Sequence, residues 1–335
     1  MLEEPGLRAP GFRLVQADAT HDARAYTVDL SWRPKPFTGT AQPAYVVAAF
    51  AAGATLVVQG LHLHRASTAV FCRLLEGYLG HPAQLNAYFT PRRSQGLPVH
   101  HDTHDVFVLQ VSGRKRWLVY DPVWELPLKH QRYDEAMGGP GETVLDVVLE
   151  AGDTLYLPRG WMHEALTSGE DSLHLTVGVN VVAWADAARA AVARAEDDVA
   201  FRRGVPDDGT GANGLVDRLA AELEPERVAA ARRRAFVDGR RPILTGQLEQ
   251  LRRVEAIDAD TVVERRETVI ADLDGDVLRF EGKAIRFPPQ ALDALGALVE
   301  AEAPVALADL PGRLDAAGRV VLARRLVREG FLLAR

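Results

Sequence analysis

His100-His101-Asp102 and, much later, Gly152-Asp-Thr-Leu-Tyr-Leu-Pro-Arg-Gly-Trp-Met-His163 are the two stretches that indicate how this chain folds. In an extended strand, side chains two residues apart point to the same face, so His100 and Asp102 converge while His101 points away. His163 follows a strand-like segment, and a strand that returns beside the first brings its imidazole to the same place. Residues 84–182 contain many short strands separated by turns, which favours a small barrel or sandwich.

Two imidazoles and one carboxylate on one face form a ligand set for a non-haem Fe(II) ion, because three protein ligands leave the opposite coordination positions open. We therefore predict that His100, Asp102 and His163 bind the metal. His104 shares strand parity with His100, so the spacing alone leaves it open as an alternative ligand. Asp105 is expected to support the site or to lie at the surface.

Charge and cysteine content limit the class of protein. The net charge of -7 and the pI near 5.8 argue against direct nucleic-acid binding, which needs a strongly basic face. Cys72 is the only cysteine, so no intrachain disulfide can form and a reducing cytoplasm is the expected location. The opening residues Met1-Leu-Glu-Glu-Pro5 lack the features of a signal peptide, and no apolar run is long enough to span a membrane.

The chain of 335 residues exceeds a typical single domain. Residues 1–183 are the predicted β-rich catalytic domain. Residues 184–243 are rich in Ala, Arg and Glu, with helical runs predicted at 185–203 and 215–237. Their thin apolar stripes suit a partner helix, so this region is the predicted homodimer interface.

Residues 244–335 form the third predicted domain. A hairpin is expected at Leu278–Phe287 with its turn at Glu281-Gly282, followed by helices near 290–301 and 316–329. Gly330 is expected to stop the last helix before an extended segment. This order resembles a winged helix, so we predict a winged-helix-like α+β domain.

Lys115 is the candidate cation of the site. It follows the tight turn Ser112-Gly113, and strand alternation places it on the same face as Trp117. If that face points inward, Lys115 is a buried cation that needs an anion; the alternative is an outward lysine in a basic surface turn. Three further polar side chains on neighbouring predicted strands are candidates for contacts to a bound ligand: Asn86, Tyr88 and Thr176.

These residues resemble the JmjC-type cupin family of ribosomal oxygenases, the protein hydroxylases of bacteria and their nucleolar relatives. The resemblance covers residues 40–183 and is carried by these segments: Asn86-Ala-Tyr-Phe-Thr-Pro91, Ser94-Gln-Gly96, His100-His-Asp102, Phe107-Val-Leu-Gln-Val-Ser-Gly-Arg-Lys-Arg-Trp117, Gly152-Asp-Thr-Leu-Tyr-Leu-Pro-Arg-Gly-Trp-Met-His163 and Ser172-Leu-His-Leu-Thr176.

The resemblance implies a double-stranded β-helix, or cupin, of the JmjC type. It implies that His100, Asp102 and His163 bind Fe(II) and that Lys115 binds the distal carboxylate of 2-oxoglutarate. With O₂ as the oxidant, the expected activity is hydroxylation of an Arg or His side chain of a protein, and a ribosomal protein is the expected substrate. The chain departs from the family at the loop residues Arg92 and Arg93, and at Gly178, where some relatives carry a hydroxyl residue.

Two alternatives remain open from the sequence. The first is an oxygenase that hydroxylates a biosynthetic peptide instead of a ribosomal protein. The second is a non-catalytic cupin that serves as a binding or scaffold protein. The intact set of metal ligands and Lys115 disfavour the second alternative.

Overall fold

The computed structural model describes residues 7–31, 34–212 and 214–335, and the chain divides into two compact units. The first unit contains the chain up to Glu76 together with His81–Val181. The second contains Gly77–Gly80 and Val182–Arg335. The opening residues, on which the expectation of no signal peptide rests, lie outside the described residues.

The first unit is dominated by antiparallel strands that form two main sheets. Its strands are β1 (Phe12–Val15), β2 (Thr27–Leu30), β3 (Phe37–Ala41), β4 (Thr55–Val58), β5 (Ala83–Thr90), β6 (Asp105–Ser112), β7 (Lys115–Tyr120), β8 (Thr143–Leu149), β9 (Thr154–Leu157), β10 (Met162–Leu166) and β11 (Ser172–Val179). Its helices are α1 (Ala23–Tyr26), α2 (Pro43–Ala51) and α3 (Ala66–Leu79), with short 3₁₀ turns at Leu61–Leu63 and Glu135–Met137.

The strand order places late strands between early ones. One sheet has the order β1-β4-β5-β11-β6-β9, the other β10-β7-β8, and β2 pairs with β3. The last strand, β11, separates β5 from β6 and pairs antiparallel with both. In the other sheet β10 pairs with β7, so in both sheets strands from after residue 150 lie next to strands from before it.

Apolar side chains from both sheets form one core cluster, which indicates that the sheets pack face to face. Its members are Val106, Val108, Trp117, Val119, Leu149 and Leu157. On the outer face of β5 a second cluster forms, from Val58, Leu61, Cys72, Ala83, Leu85, Ala87 and Val177. Strand alternation therefore turns the polar residues of β5, including Tyr88 and Thr90, toward the inner face.

Cys72 packs as a small apolar side chain in the outer cluster. Burial raises the pKa of its thiol to about 12. The thiol is therefore protonated and unreactive at neutral pH.

The second unit joins helices to two small sheets. Its helices are α4 (Trp184–Ala195), α5 (Leu215–Glu222), α6 (Pro225–Asp238), α7 (Gln247–Arg253), α8 (Leu292–Glu300) and α9 (Ala316–Glu329). Its strands are β12 (Val262–Arg265), β13 (Ala271–Asp274), β14 (Val277–Phe280), β15 (Lys283–Arg286), β16 (Val305–Ala306) and β17 (Leu332–Ala334). The sheets have the orders β13-β14-β15 and β16-β12-β17, and their shared core includes Leu278, Phe280, Leu295, Leu326 and Phe331.

The predicted hairpin in this unit is confirmed. Strands β14 and β15 pair around Glu281 and Gly282, which both adopt positive φ. The final helix also ends where expected, at Gly330 in the left-handed region.

The prediction of one helix over 215–237 is wrong: α5 ends at Glu222 and α6 begins at Pro225, because a proline has no backbone N–H to continue the first helix. The helix predicted over 185–203 also ends early, at Ala195, followed by a 3₁₀ turn at Val199–Arg202.

Among the described residues, none of the helices combines the length and apolar character that crossing a membrane requires.

Candidate metal centre

Two of the three predicted metal ligands are paired directly through their backbones. His100 and His163 form an isolated antiparallel bridge, in which each backbone N–H donates to the carbonyl of the other, at 3.1 and 2.8 Å. His163 lies on β10, where it also pairs with Val119 of β7. The later strand thus returns beside the first, and the two imidazole centroids are 4.6 Å apart.

Asp102 completes the cluster. One ligand atom from each of His100, Asp102 and His163 lies within 4.8 Å of the others, and His163 Nε2 is 3.8 Å from Asp102 Oδ2. Gly160 holds the Asp102 backbone in place by donating its N–H to the Asp102 carbonyl at 3.0 Å. The geometry brings together three donors of the types that a non-haem Fe(II) site uses.

The backbone fixes which nitrogen of each imidazole faces the cluster. His100 Nδ1 lies 2.8 Å from the Pro98 carbonyl, and His163 Nδ1 lies 3.0 Å from the Trp161 carbonyl. A carbonyl only accepts hydrogen bonds, so each Nδ1 carries the proton and each Nε2 keeps a lone pair. Such a hydrogen bond on the far nitrogen is the arrangement that orients metal-binding histidines in proteins.

The protonation states also suit a cation. Burial, and next the neighbouring His100, lower the pKa of His163 to about 4, so its imidazole is neutral near pH 7. Burial opposes ionisation of the Asp102 carboxyl, but the surrounding imidazoles, His163 foremost, hold its pKa below the ordinary value. A neutral imidazole and an ionised carboxylate are the forms in which His163 and Asp102 would bind a metal.

The other two histidines of the segment have different surroundings. His101 is buried away from the cluster, where Nε2 lies 3.2 Å from the Gln131 carbonyl and the ring meets Tyr133 edge-on. His104 is half-buried and lies against the backbone of Gly178. It is close enough to Asp102 to help lower the pKa of that carboxyl, but it is not part of the three-residue cluster.

Lys115 is buried on the inner face, with 4% of its surface exposed. Its Nζ donates to Thr90 Oγ1 at 2.9 Å, and burial lowers its pKa to about 7. The neighbouring arginines point outward: Arg114 pairs with Glu170 at 2.8 Å, and Arg116 pairs with Asp146 at 2.5 Å. Of these three basic residues, Lys115 is the one turned toward the interior.

The other three candidates lie on the same inner face of β5 and β11. Tyr88 stacks on His174, with ring centroids 4.9 Å apart, and burial raises the pKa of its phenol. Thr176 faces Asn86 across the strand pair. The Asn86 carboxamide oxygen accepts from the Gly60 N–H at 2.9 Å, so its NH₂ group is the part left for a ligand.

Two further residues of this face were missed by the sequence interpretation. Arg13 of β1 lies in the same row of side chains as Val57, Tyr88 and His174, and its charge partly offsets the rise that burial causes in the pKa of Tyr88. His174 is fully enclosed between Tyr88 and Trp117, and burial lowers its pKa well below the ordinary value. His174 could have been found from its spacing to Thr176, whereas Arg13 carries no local signal.

Several buried polar atoms on this inner face have no hydrogen-bond partner within the described part of the chain. They include Arg13 Nε, Trp117 Nε1 and His174 Nδ1. Folded proteins rarely leave buried polar atoms unpaired, because each costs about 1–3 kcal/mol. Their concentration beside the metal cluster indicates a face arranged for a polar ligand.

The loop arginines are exposed. The backbone of Arg92 donates to Asp171 at 2.8 Å, and Arg93 adopts a positive φ while its N–H donates to the Ser168 carbonyl. Both side chains lie in solvent.

Comparison with known proteins identifies related sequences. Residues 61–187 match the JmjC domain family. Ribosomal oxygenase 1 of Rattus norvegicus is 35% identical over 229 residues, which cover 65% of this chain and 37% of the rat protein. The Gallus gallus protein of the same name is 32% identical over 256 residues, covering 70% and 41%. The chain thus spans less than half the length of these curated relatives.

Solved structures show the same fold. A crystal structure of the Escherichia coli ribosomal oxygenase YcfD matches with a TM-score of 0.54 at 18% identity, covering 97% of this chain and 94% of that one. A YcfD structure in complex with cobalt and 2-oxoglutarate matches with a TM-score of 0.52 at 19% identity, covering 84% and 78%. The predicted mainly-β cupin core is confirmed. Residues 61–187 therefore form a JmjC domain, and the chain is similar in sequence to the ribosomal oxygenases.

Proposed function

We propose that this chain is an Fe(II)- and 2-oxoglutarate-dependent oxygenase that hydroxylates an Arg or His side chain of a protein. The observation that carries the proposal is the convergence of His100, Asp102 and His163, with Lys115 buried on β7, the strand that pairs with the strand of His163. Similarity to proteins named ribosomal oxygenase and to a protein solved with cobalt and 2-oxoglutarate supports the same activity.

The three clustered residues fit an Fe(II) ion. Each imidazole presents Nε2 while its Nδ1 is held by a backbone carbonyl, and the Asp102 carboxylate supplies the negative charge. When bound, Fe(II) and 2-oxoglutarate together activate O₂ for insertion of one oxygen atom into a C–H bond. The protein's part is to keep the three ligands in one geometry, which the paired backbones of His100 and His163 accomplish.

Lys115 is suited to hold the distal carboxylate of 2-oxoglutarate. A buried cation needs an anionic partner, and its Nζ has donors left after the bond to Thr90. A bound carboxylate favours the charged form and raises the lysine pKa again. Arg114 and Arg116 cannot replace it, because both point outward to carboxylates.

An aromatic side chain packs against one of the metal ligands. Trp117 is buried, and its ring lies 6.0 Å from that of His163 and 5.4 Å from that of His174. Trp117 Nε1 and His174 Nδ1 both lack partners and are available to a bound dicarboxylate.

A ribosomal protein is the proposed substrate. The relatives' names support this class, and the net charge of -7 favours approach of a basic partner by electrostatic steering.

We further propose that residues 184–243 form a homodimer interface and that residues 244–335 form a winged-helix-like domain. The meander β13-β14-β15 beside α8 and α9 supports the latter assignment.

Mass spectrometry of purified ribosomal proteins tests the activity. The proteins are incubated with Fe(II), 2-oxoglutarate and the wild-type chain, with His163→Ala as the matched inactive control. We expect one discrete Arg or His residue that is heavier by one oxygen atom only in the wild-type reaction. Hydroxylation of a free amino acid, with no modified protein, would overturn the proposed substrate class. Modification of a non-ribosomal peptide alone would favour the biosynthetic alternative.

A further inference from the structure

Strand β8 has one edge that no other strand covers. It pairs with β7 on one side, and within the described part of the chain no strand pairs with its other side. Such an edge presents a row of backbone N–H and C=O groups to any extended segment that approaches it. Proteins usually protect an edge with proline, lysine or a very short strand. With seven residues and neither proline nor lysine, β8 lacks all three of these protections.

The side chains along this free edge are mostly apolar and exposed. Val144 and Val148 are 47% and 50% exposed, and Leu145 is also exposed. Asp146 is the charged residue of the strand, and its carboxylate pairs with Arg116. Exposed β-branched residues on a strand pack well against the side chains of a neighbouring strand. The free edge is therefore suited to an extended polypeptide.

The surroundings of the free edge are acidic. Residues 121–153, which comprise the loop before β8, the strand itself and the turn after it, contain eight acidic and two basic residues. Asp146 and Glu150 pair with the arginines Arg116 and Arg114. The other six acidic side chains are exposed: Asp121, Glu125, Asp134, Glu135, Glu142 and Asp153. This charge attracts a basic segment and repels the same edge of a second copy.

Strand pairing connects the free edge to the metal cluster. His100 pairs with His163, and His163 pairs with Val119 of β7. Val119 in turn pairs with Leu145 of β8, so one row of residues crosses the sheet from the cluster to the free edge. Neighbouring strands lie about 4.8 Å apart, so a strand added beyond β8 would lie about 14 Å from His163. About four or five residues of extended chain cover that distance.

The acidic loop before β8 is fastened beside the metal-binding segment at two points. The Gln131 carbonyl lies 3.2 Å from Nε2 of His101. The Trp124 carbonyl packs against Gly160, where a side chain would overlap it. Gly160 itself donates its N–H to the Asp102 carbonyl. The loop that leads into the free edge is thus held next to the metal ligands.

We propose that the free edge of β8 binds a basic, extended segment of the protein substrate by strand addition. Backbone hydrogen bonds would provide the binding, and the acidic surroundings would select segments rich in Lys and Arg. This segment lies about four or five residues along the substrate from the side chain that is hydroxylated. The inference rests on the proposed function, because it assigns a docking surface to that substrate.

A peptide that needs no catalysis tests the docking. The probe is a fluorescein-labelled peptide of alternating Lys and Val, about as long as β8. A second peptide alternates Lys and Pro, which keeps the charge but removes half of the backbone donors. The dissociation constant of each peptide for the full chain is measured by fluorescence anisotropy, without Fe(II) or 2-oxoglutarate.

Three variants accompany the wild type. Val148→Lys places a cation on the free edge, and Glu142→Lys reverses a charge just before the strand, which covers the case in which the first variant fails to fold. Val321→Lys is the matched control, because it makes the same change at an exposed valine of α9.

The Lys-Val peptide should bind the wild type, and its affinity should fall as salt is added. The Lys-Pro peptide should bind about tenfold more weakly or worse, because several hydrogen bonds are lost. Val148→Lys should weaken the Lys-Val peptide by about tenfold, and Glu142→Lys by about threefold, through repulsion of the added cation. Val321→Lys should match the wild type. With ribosomal proteins as substrate, Val148→Lys should raise KM and leave kcat near the wild-type value.

Equal affinity for the two peptides would overturn strand addition, because charge alone would then account for binding. Failure of the wild type to bind the Lys-Val peptide, or an unchanged KM in Val148→Lys, would overturn it as well. A dimer that becomes a monomer in Val148→Lys would show that a second copy occupies the edge instead. Peptide binding as expected, but with no ribosomal protein hydroxylated, would contradict the proposed activity and not the binding edge.

Discussion

The imidazole of His104 fills the space beside Gly178: a Cβ atom added to Gly178 would lie 2.4 Å from His104 Cδ2 and 2.6 Å from Nε2. Gly178 does not have a positive φ, so its backbone conformation does not require glycine. Glycine is required at position 178 because the His104 imidazole fills the space that a side chain would need. This explains the departure at position 178, because the place of a hydroxyl side chain on the inner face is taken by a histidine from the metal-binding segment.

Gly178→Ser should therefore displace His104 and destabilise the first unit. Overpacking of this kind costs about 1–3 kcal/mol of unfolding free energy, measured by chemical denaturation. The double variant His104→Ala/Gly178→Ser should recover most of that loss, because the imidazole is gone. If the double variant is no more stable than Gly178→Ser alone, the clash does not determine the residue at position 178.

Removal of any one clustered ligand should abolish iron binding. His100→Ala, Asp102→Ala and His163→Ala should each lower Fe(II) affinity by more than the roughly 10- to 100-fold that loss of an outer-shell partner costs. His104→Ala is the matched control, since it removes a neighbouring imidazole that lies outside the cluster. Equilibrium dialysis with Fe(II) under argon measures the affinities. Loss of Fe(II) binding in His104→Ala, together with full Fe(II) binding in His100→Ala, would show that His104 is the ligand in place of His100.

The sequence predicts that His100, Asp102 and His163 lie close together, because the signal for their arrangement is local. The two-residue spacing of His100 and Asp102 follows from strand alternation, and a strand-like segment precedes His163. The inward direction of the Lys115 side chain could also be predicted, because the turn at Ser112-Gly113 sets which residues of β7 face inward. In each case a short segment determines the direction of the side chain.

Features that depend on distant pairing could not be predicted. Arg13 reaches the inner face only because β1 pairs with β4 at the sheet edge, far along the chain from the metal segment. The contact of His104 with Gly178 joins two strand regions whose register the sequence does not specify. The break between α5 and α6 could have been predicted from Pro225. It was missed because the apolar residues on both sides continue at helical spacing.

The helices between residues 184 and 243 should support a homodimer. Several large apolar side chains there are exposed, including Trp184 at 70%, Val199 at 58% and Val216 at 73%. Burying them against a second copy would remove apolar surface from water. Light scattering at micromolar concentration should give twice the monomer mass. Trp184→Glu or Val216→Glu should shift the mass toward the monomer, and a wild-type monomer would contradict the prediction.

The affinity for 2-oxoglutarate should fall as the pH rises above neutrality. Burial lowers the pKa of Lys115 to about 7, so in the ligand-free protein the lysine loses its proton as the pH rises through that value. The charged form binds a carboxylate, and the neutral form does not. The dissociation constant should therefore rise by up to about tenfold per pH unit from about pH 7 to 9.

Two controls isolate Lys115 as the cause of this pH dependence. 2-Oxobutyrate has no distal carboxylate, so its affinity should lack the extra slope that 2-oxoglutarate shows, and any change common to both acids reports on the metal. Lys115→Ala should remove the difference between the two acids, because no titrating group then faces the distal end. Anaerobic titrations of the Fe(II)-loaded protein at several pH values provide the constants. Parallel pH profiles for the two acids in the wild type would show that the distal carboxylate binds elsewhere or that Lys115 remains charged throughout, and would argue against the anchoring role.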